Sequence, residues 1–380
     1  MPRSSLKWFR YLVGLLSALF FQAQAARAQE VQVEVAQPSI HFLSTATGQE
    51  DKNIEPSAVE PIGDGTLLLV ADDENKNLLV VEAATGAIKQ ELKLGKFDKK
   101  PKWEAMARDP EGNYYVIGSH SIKREDAAEP DAAQKLKDRS RLFRFRLSGG
   151  TDGKPLAIDD ATVVEWNVTD ALAAEGYSSD PARNSVKVEG LAIRTLTGCA
   201  AKDSTVRELV IGLRQPDEPL RVYAADISQP PATNAKLALR PLFRFDAGRR
   251  GNVHSQLSSI EYAPAFKGFL ILTSTEDADN SFHGNTLWFL ADEKISAALP
   301  SGSQPEKLKL DQLQPVAPQK VWLFGVNSKA EGLCLISEAT VSTKASQMSQ
   351  AHLALVYDND TETTQISGAL QLITVVLWPK

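Results

Sequence analysis

The sequence predicts an all-β fold, a β-propeller of five four-stranded blades closed by the N-terminal strand. Three observations lead to this prediction. A glutamate followed by a small residue and an apolar stretch recurs five times along the chain. Each recurrence is accompanied by short β-rich runs separated by Gly, Pro, Asp or Asn. The last unit lacks one strand, which a strand near the N-terminus can supply. Self-similar units of this size are typical of propellers.

The repeated segments are read as the innermost strands of the blades. They begin at Glu55, Glu104, Glu189, Glu261 and Glu331. The other strands are predicted from runs rich in β-branched and aromatic residues. These fall at 65–70, 77–81 and 88–94 in the first unit, at 113–118, 142–147 and 163–168 in the second, at 208–213, 220–225 and 239–245 in the third, at 268–273, 286–290 and 320–324 in the fourth, and at 352–357 and 370–377 in the fifth.

Ring closure accounts for a segment that otherwise has no unit. Residues 31–43 have strand character but precede the first repeat, and the fifth unit is one strand short. Pairing the two completes the last blade and leaves only short protected edges. A sixth, degenerate blade inside the long second unit and a pair of packed β domains are the alternatives.

Residues 1–28 are predicted to be a signal peptide. Arg3, Lys7 and Arg10 precede an apolar stretch at 11–21, and small-x-small sites follow it. This stretch is too short to span a bilayer. The alternative is a retained membrane anchor. We therefore expect a periplasmic or secreted protein, with a single propeller domain at 29–380 and no later membrane span.

The charge of the chain bears on its partners. The net charge is −6, and it becomes −9 without the first 25 residues, which carry three cations and no anions. Nucleic-acid binding needs a basic surface, so we expect no nucleic-acid partner. We expect a monomer with a small anionic ligand or substrate. The two cysteines, Cys199 and Cys334, allow either a disulfide or a buried free thiol at Cys334.

Strand direction places the repeated glutamates at one mouth of the propeller. In an antiparallel meander, the start of the first strand and the turn between the second and third strands lie at the same end. These turns are rich in charged side chains, among them Asp73, Lys123 and Arg214. The polar insertion at 123–140 in the second unit is predicted to be an exposed loop or a short surface helix, with a flap as one role.

Carboxylates gathered around one axis need compensation. Oxygen ligands without a Cys or His cluster suit a hard ion such as Ca²⁺ or Mg²⁺, and an extracytoplasmic site with many carboxylates favours Ca²⁺. The metal ligands predicted on this basis are Glu55, Glu104, Glu189, Glu261, Glu331 and Asp73. The alternative is direct compensation by the cationic side chains of Arg214, Lys123 and Arg124. Any one glutamate can also serve as a backbone cap.

Three residues at this mouth are predicted to act on a substrate. His120 can move protons, and Arg214 and Lys123 can hold an anionic group. A turn histidine without a role is the alternative for His120. The sequence contains no Gly-x-Ser-x-Gly elbow, no His-Glu-x-x-His and no phosphate-binding glycine-rich loop. Any hydrolysis would use metal-bound water or a carboxylate and histidine pair.

Several blocks resemble those of a known family. The segments at 103–120, 188–193, 211–214 and 330–333 are similar to motifs of a bacterial exported β-propeller family of unknown function, which is distantly similar to esterase-like phytase propellers. The similarity covers about residues 50 to 360. In that pattern a glycine usually follows the second glutamate, whereas here Ala105 does. The resemblance implies a propeller, and hydrolysis of a phosphate or carboxylate ester.

Three functions are compatible with these patterns. The first is metal-assisted hydrolysis of a small anionic ester, such as a phosphate ester. The second is a non-catalytic propeller that binds a small ligand or a protein at the same mouth. The third is a structural interaction module of the cell envelope that makes contact through the polar insertion. The residues favour the first two equally.

Overall fold

The protein is described here by a computed structural model. It describes residues 30–35, 39–44, 48, 54–73, 75–95, 97, 99–123, 125–150, 154–197, 205–216, 219–229, 235–277, 281–300, 308–324, 329–342, 347–358 and 368–378. The predicted signal peptide, Arg124 and Cys199 lie outside the described residues.

The strands form five antiparallel sheets that are the blades of a five-bladed propeller. Blade 1 consists of β3 (Pro56–Ile62), β4 (Leu67–Asp72), β5 (Asn77–Glu82) and β6 (Ile88–Lys93). Blade 2 consists of β7 (Trp103–Arg108), β8 (Tyr114–Gly118), β9 (Arg141–Phe145) and β12 (Val164–Asn167), and the short strands β10 (Leu147–Ser148) and β11 (Ala157–Ile158) form a separate hairpin. Blade 3 consists of β13 (Lys187–Thr197), β14 (Thr205–Gln215), β15 (Leu220–Asp226) and β16 (Arg240–Phe245).

The last two blades carry additional short strands. Blade 4 consists of β18 (Val253–Ala263), β19 (Gly268–Glu276), β20 (Phe282–Ala291) and β21 (Gln319–Phe324), preceded by β17 (Arg249–Arg250). Blade 5 consists of β22 (Lys329–Ser342), β23 (Gln347–Asp358), β24 (Ala369–Trp378) and β1 (Glu30–Val35), and β2 (Ile40–His41) also pairs with β24.

The predicted ring closure is confirmed. Strand β1 pairs antiparallel with β24 from Glu30 opposite Trp378 to Val35 opposite Ile373. The innermost strands β3, β7, β13, β18 and β22 contact one another in that order, and β22 contacts β3. The blades therefore surround one axis, and the two alternatives to five blades are not what the structure shows.

The hydrophobic core is divided into one cluster at each seam between blades. Trp166 of blade 2 packs with Leu191 of blade 3, and Phe243 of blade 3 packs in the cluster shared with blade 4. The seams between blades 4 and 5, 5 and 1, and 1 and 2 have corresponding clusters. Each blade is thus buried on both faces, because each face covers a neighbour.

The seam between blades 5 and 1 depends on a glycine. A Cβ atom on Gly332 would lie 2.6 Å from Cγ2 of Val356 and 2.9 Å from Cα of Ala58. Real Cβ atoms essentially never approach other atoms so closely. Gly332 therefore lets the backbones of β22 and β3 meet.

Short helices lie in the connections between strands. They are α1 (Ala132–Arg139), α2 (Thr169–Ala174) and α3 (Asp292–Ala297). Helix α1 lies in the polar insertion, and it buries Ala132 and Leu136. The insertion is thus partly a short helix that packs onto the propeller. Among the described residues, no helix is long and apolar enough to cross a bilayer.

Candidate functional site

Every innermost strand carries a β-bulge at the equivalent position. The ladder skips one residue between Pro56 and Ala58 in β3, and the same shift recurs in β7, β13, β18 and β22. A bulge leaves one residue unpaired and redirects its side chain. The bulged residues are Ser57, Glu104, Glu189, Ser258 and Glu331.

The structural repeat thus contains three of the predicted glutamates and two serines. Glu55 lies two residues before the bulged Ser57, at the cavity described below. Glu261 lies three residues after Ser258, opposite Leu270 of β19, and it is not among the cavity-lining residues. The expectation of five equivalent glutamates fails there because β18 begins at Val253, so the glutamate lies near its end.

A lysine precedes each bulged glutamate by two residues. Lys187 Nζ lies 2.5 Å from Oε1 of Glu189, and Lys329 Nζ lies 2.5 Å from Oε1 of Glu331. Lys102 stands at the same place before Glu104. This Lys-x-Glu pattern is visible in the sequence, and it is the signal that identifies these lysines as part of the site.

The same lysines also join neighbouring blades. Lys102 Nζ lies 3.1 Å from Oδ2 of Asp73 and links blade 2 to blade 1. Lys187 Nζ lies 3.4 Å from Oε1 of Glu104 and links blade 3 to blade 2. Lys329 Nζ lies 3.0 Å from Oε2 of Glu276 and links blade 5 to blade 4. The start of each Lys-x-Glu strand therefore takes part in an interblade ion pair.

Arg214 is the central cation of this network. It is 4% exposed, and its Nη2 donates a hydrogen bond to Oε2 of Glu276 at 2.8 Å. Its Nη1 lies 3.7 Å from Oε1 of Glu189 and 4.0 Å from Oε2 of Glu331. Nη1 also donates to Oγ of Ser274 at 3.4 Å. Arg214 connects blade 3 with blades 4 and 5 across the axis.

The three bulged carboxyls have different proton affinities. Burial and the nearby Glu189 raise the pKa of Glu104 well above the usual 4.5. Burial also raises the pKa of Glu189, although Lys187 opposes this shift. Burial acts in the same direction on Glu331, but the surrounding cations hold its pKa below 4.5. The pKa values of Glu104 and Glu331 are therefore shifted in opposite directions, because Glu104 has fewer cations beside it.

The lysines remain charged despite their burial. Burial disfavours the ammonium of Lys187, but Glu104 and Glu189 raise its pKa above the ordinary value. Glu331 does the same for Lys329. The structure thus supplies much of the compensation of the carboxylates through cationic side chains. Compensation by cationic side chains was one of the alternatives that the sequence left open, and Lys187 and Lys329 take part in it besides Arg214.

His120 lies away from the cavity. Its side chain is buried, and Nδ1 lies 2.6 Å from Oγ of Ser140, next to the end of α1. Oγ of Ser140 also donates its proton to the carbonyl of Leu136 at 2.6 Å. In the contact with His120, Oγ of Ser140 is therefore the acceptor and Nδ1–H of the histidine is the donor. Burial lowers the pKa of His120 to about 4, so the ring is neutral at pH 7. These contacts hold the polar insertion and are not directed at a ligand.

Lys123 and Asp73 do line the cavity. Lys123 thus lies where the sequence places it, while Asp73 is engaged by Lys102. Among the described residues, no group of three or more His, Cys, Asp or Glu side chains is arranged to hold a metal ion. The calcium ion therefore stays a prediction, and the ammonium groups 2.5 Å from Glu189 and Glu331 occupy positions that it would need.

The cavity lies at the mouth formed by the starts of the innermost strands and the turns after the second strands. It has a volume of about 1260 Å³, and all five blades contribute to its lining, for example through Asp73, Lys102, Lys187, Glu276 and Lys329. The predicted meeting of these two sets of elements is thus present. The ion-pair network forms its floor.

A second acidic group lies on the innermost strands beyond this floor. Glu60 of β3 is 3% exposed, and burial raises its pKa to about 8, with Arg108 opposing. Burial and the proximity of Glu60 raise the pKa of Glu261 well above the usual value. Oε1 of Glu60 and Oε2 of Glu261 are buried without hydrogen-bond partners. The free thiol of Cys334 is buried close enough to both glutamates for them to raise its pKa.

Comparisons with known proteins identify similarity of fold only. No protein-family model matches the chain, and no curated protein matches it. A PQQ-bound aldose sugar dehydrogenase from Streptomyces coelicolor is 14% identical, with 92% of this chain and 100% of that chain covered and a TM-score of 0.44.

Two further solved structures are similar at the same level. A glutaminyl cyclase from Myxococcus xanthus is 8% identical, with 93% and 100% of the two chains covered and a TM-score of 0.35. The Cps50 (Swd1) β-propeller domain of Myceliophteria thermophila is 10% identical, with 70% and 64% covered and a TM-score of 0.30. The similarity to esterase-like phytases stays a prediction. The chain is similar to β-propeller proteins of several kinds.

Proposed function

We propose that this protein is an exported binding propeller that holds a small anionic ligand in the cavity at its mouth. The observation that carries the proposal is the concentration of cations on one side of that cavity. Among the described residues, blades 2 and 3 and the segment between them contribute six cationic residues to the lining, namely Lys102, Lys123, Arg139, Arg183, Lys187 and Arg214.

The deeper cations of this side are held in fixed positions. Lys187 and Arg214 are engaged by carboxylates at the floor, and the side chain of Arg214 is 5% exposed. Arg139 donates from Nη1 to the carbonyl of Ser121 at 3.0 Å. A site of fixed charges loses little conformational entropy when a ligand enters.

The outer cations are free of the floor network. Nε of Arg183 lies 3.8 Å from Oδ2 of Asp180 in an exposed contact, and the Arg183 side chain is 83% exposed. Lys123 lies on the same rim. These two side chains can approach an anion without breaking a buried pair, so they are the residues to change first.

A second candidate function is hydrolysis of a small anionic ester. The specific observation in its favour is that Glu104 and Glu331 both line the cavity and have pKa values shifted in opposite directions. Such a pair suits a general acid and a general base. In this reading Glu104 donates a proton to the leaving group and Glu331 accepts one from the attacking water, while Arg214 and Lys123 hold the anion.

Binding and hydrolysis are tested with the same anionic probes. Calorimetric titration with inorganic phosphate and with N-acetyl-trialanine measures binding. The double variant Lys123→Gln/Arg183→Gln should weaken the binding of the bound probe at least about tenfold, which is about 1.4 kcal/mol. Lys93→Gln is the matched control, because Lys93 is exposed on the outermost strand of blade 1.

Each outcome decides between the candidates. Failure of both probes to bind, or equal binding by the double variant, would contradict the proposal. Turnover of p-nitrophenyl phosphate or p-nitrophenyl acetate that disappears in Glu104→Gln would favour hydrolysis. Turnover that disappears when calcium is chelated would support the predicted metal ion.

A further inference from the structure

The lining of the cavity is divided into two halves of opposite charge. Among the described lining residues, the half from blades 2 and 3 has six cations and one acidic residue, Glu104. The described lining of the half from blades 4, 5 and 1 has one cation, Lys329. The acidic residues of this second half are Glu55, Asp73, Glu276, Asp277, Glu331 and Asp358.

The acidic lining residue of the cationic half faces a cation of the same half. Oε1 of Glu104 lies 3.4 Å from Nζ of Lys187, and burial and the nearby Glu189 raise the pKa of Glu104. Glu331 in the opposite half keeps its charge because nearby cations lower its pKa. The proton affinities therefore sharpen the division between the halves.

The two halves neutralise each other mainly where they meet. Lys102 pairs with Asp73 at one boundary, and Arg214 pairs with Glu276 at the other. Away from these boundaries, the cationic rim carries Lys123, and the acidic rim carries Asp358, which lies opposite Lys329 in the pairing of β22 with β23. A ligand with one charge can match only one of these rims, and its charge would be repelled by the other.

We propose that the ligand is a zwitterion, with its anionic group against blades 2 and 3 and its cationic group against blades 4, 5 and 1. This inference rests on the proposed function and specifies its ligand. A bound zwitterion places each charge beside side chains of opposite sign, whereas a simple anion leaves the acidic half without a partner from the ligand.

The size of the cavity indicates the length of such a ligand. Its volume of about 1260 Å³ exceeds the roughly 300–1,000 Å³ of most small-molecule pockets. A single amino acid would leave most of this space to water. A short peptide with a free ammonium and a free carboxylate group fills more of it and separates its two charges, so trialanine is a suitable probe.

The test uses trialanine and its capped derivatives on the full mature chain. N-acetyl-trialanine lacks the ammonium, trialanine amide lacks the carboxylate, and N-acetyl-trialanine amide lacks both. Calorimetry should show that trialanine binds at least about tenfold more tightly than each capped form, as expected for the loss of one charge-assisted contact.

A variant on the acidic rim tests the orientation. Asp358→Asn should lower the affinity for trialanine at least about fivefold and leave the affinity for N-acetyl-trialanine unchanged, because only trialanine has an ammonium group. The control is Glu34→Gln, which removes an exposed carboxylate from the outermost strand of blade 5. Thermal unfolding confirms that each variant is folded.

The outcomes separate this inference from the proposed function. Equal affinity for trialanine and N-acetyl-trialanine would overturn the zwitterion and leave anion binding intact. Binding of inorganic phosphate without binding of any peptide would do the same. Equal affinity for trialanine and trialanine amide, with no binding of phosphate or N-acetyl-trialanine, would overturn both.

Discussion

Glu60→Gln should remove a pH dependence from the stability of the propeller. Glu60 is buried on β3, and Oε1 has no hydrogen-bond partner. Burial raises its pKa to about 8, so the folded protein keeps this proton up to about pH 8. The unfolded chain releases it near the ordinary pKa of 4.5. The unfolded state binds fewer protons between these values, so the free energy of unfolding falls as the pH rises.

The size of the effect follows from the pKa difference. One pKa unit corresponds to about 1.4 kcal/mol. The rise of the Glu60 pKa from 4.5 to about 8 therefore means that the free energy of unfolding falls by about 5 kcal/mol between these pH values. Glutamine has no proton to release. The variant should therefore be more stable than the wild type above pH 8, and the advantage should shrink steadily toward about pH 5.

Urea denaturation at several pH values measures this difference. Between about pH 5 and pH 8, the free energy of unfolding of the wild type should fall by about 1.4 kcal/mol per pH unit more than that of Glu60→Gln. Glu34→Gln, at an exposed carboxylate, should keep the wild-type slope. Parallel pH profiles for the wild type and Glu60→Gln would refute the reasoning, because they would show that Glu60 is ionised equally in both states.

Three further predictions concern the seams and the thiol. Lys187→Met removes the ammonium group that pairs with the buried Glu104 and Glu189. The free energy of unfolding, measured by urea denaturation, should fall by about 3–5 kcal/mol, and a fall of less than about 1 kcal/mol would contradict the ion-pair account. Gly332→Ala places a Cβ atom 2.9 Å from Cα of Ala58 and should lower the free energy of unfolding by about 1–3 kcal/mol in the same assay. An unchanged free energy of unfolding would show that β22 and β3 can move apart at no cost. In a Cys199→Ser background, the buried thiol of Cys334 should react with Ellman's reagent only after unfolding, and rapid reaction of the folded protein would show that it is accessible.

The sequence predicted the fold because the strand signals are local. Short β-rich runs between turn residues identified most blade strands, and the missing strand of the last unit required the N-terminal one. The start of β18 was placed too late because its first half, Val253 to Ser259, is polar and has few apolar residues. The glutamate pattern matched Glu261 instead, and the equivalence of Ser258 became visible only through the bulge.

The site was predicted only in part, for a physical reason. Strand direction correctly brought Glu104, Glu331 and Arg214 to one mouth. Which side chains face the cavity depends on the bulges, and bulges have no clear sequence signal in these strands. The sequence around His120 is typical of an exposed turn, but the structure buries the side chain against the end of α1. A contact with a helix that follows later in the chain has no local sequence pattern.

The pairing of β1 with β24 has a consequence for the order of folding. Four blades are each formed by one continuous stretch of the chain and can form from local contacts, whereas blade 5 needs strands from opposite ends of the described chain. Such distant pairing is the slowest contact to form, so we expect closure of the ring to limit the folding rate. The cavity takes residues from all five blades and is complete only after that step. A ligand should therefore leave the folding rate unchanged and slow unfolding.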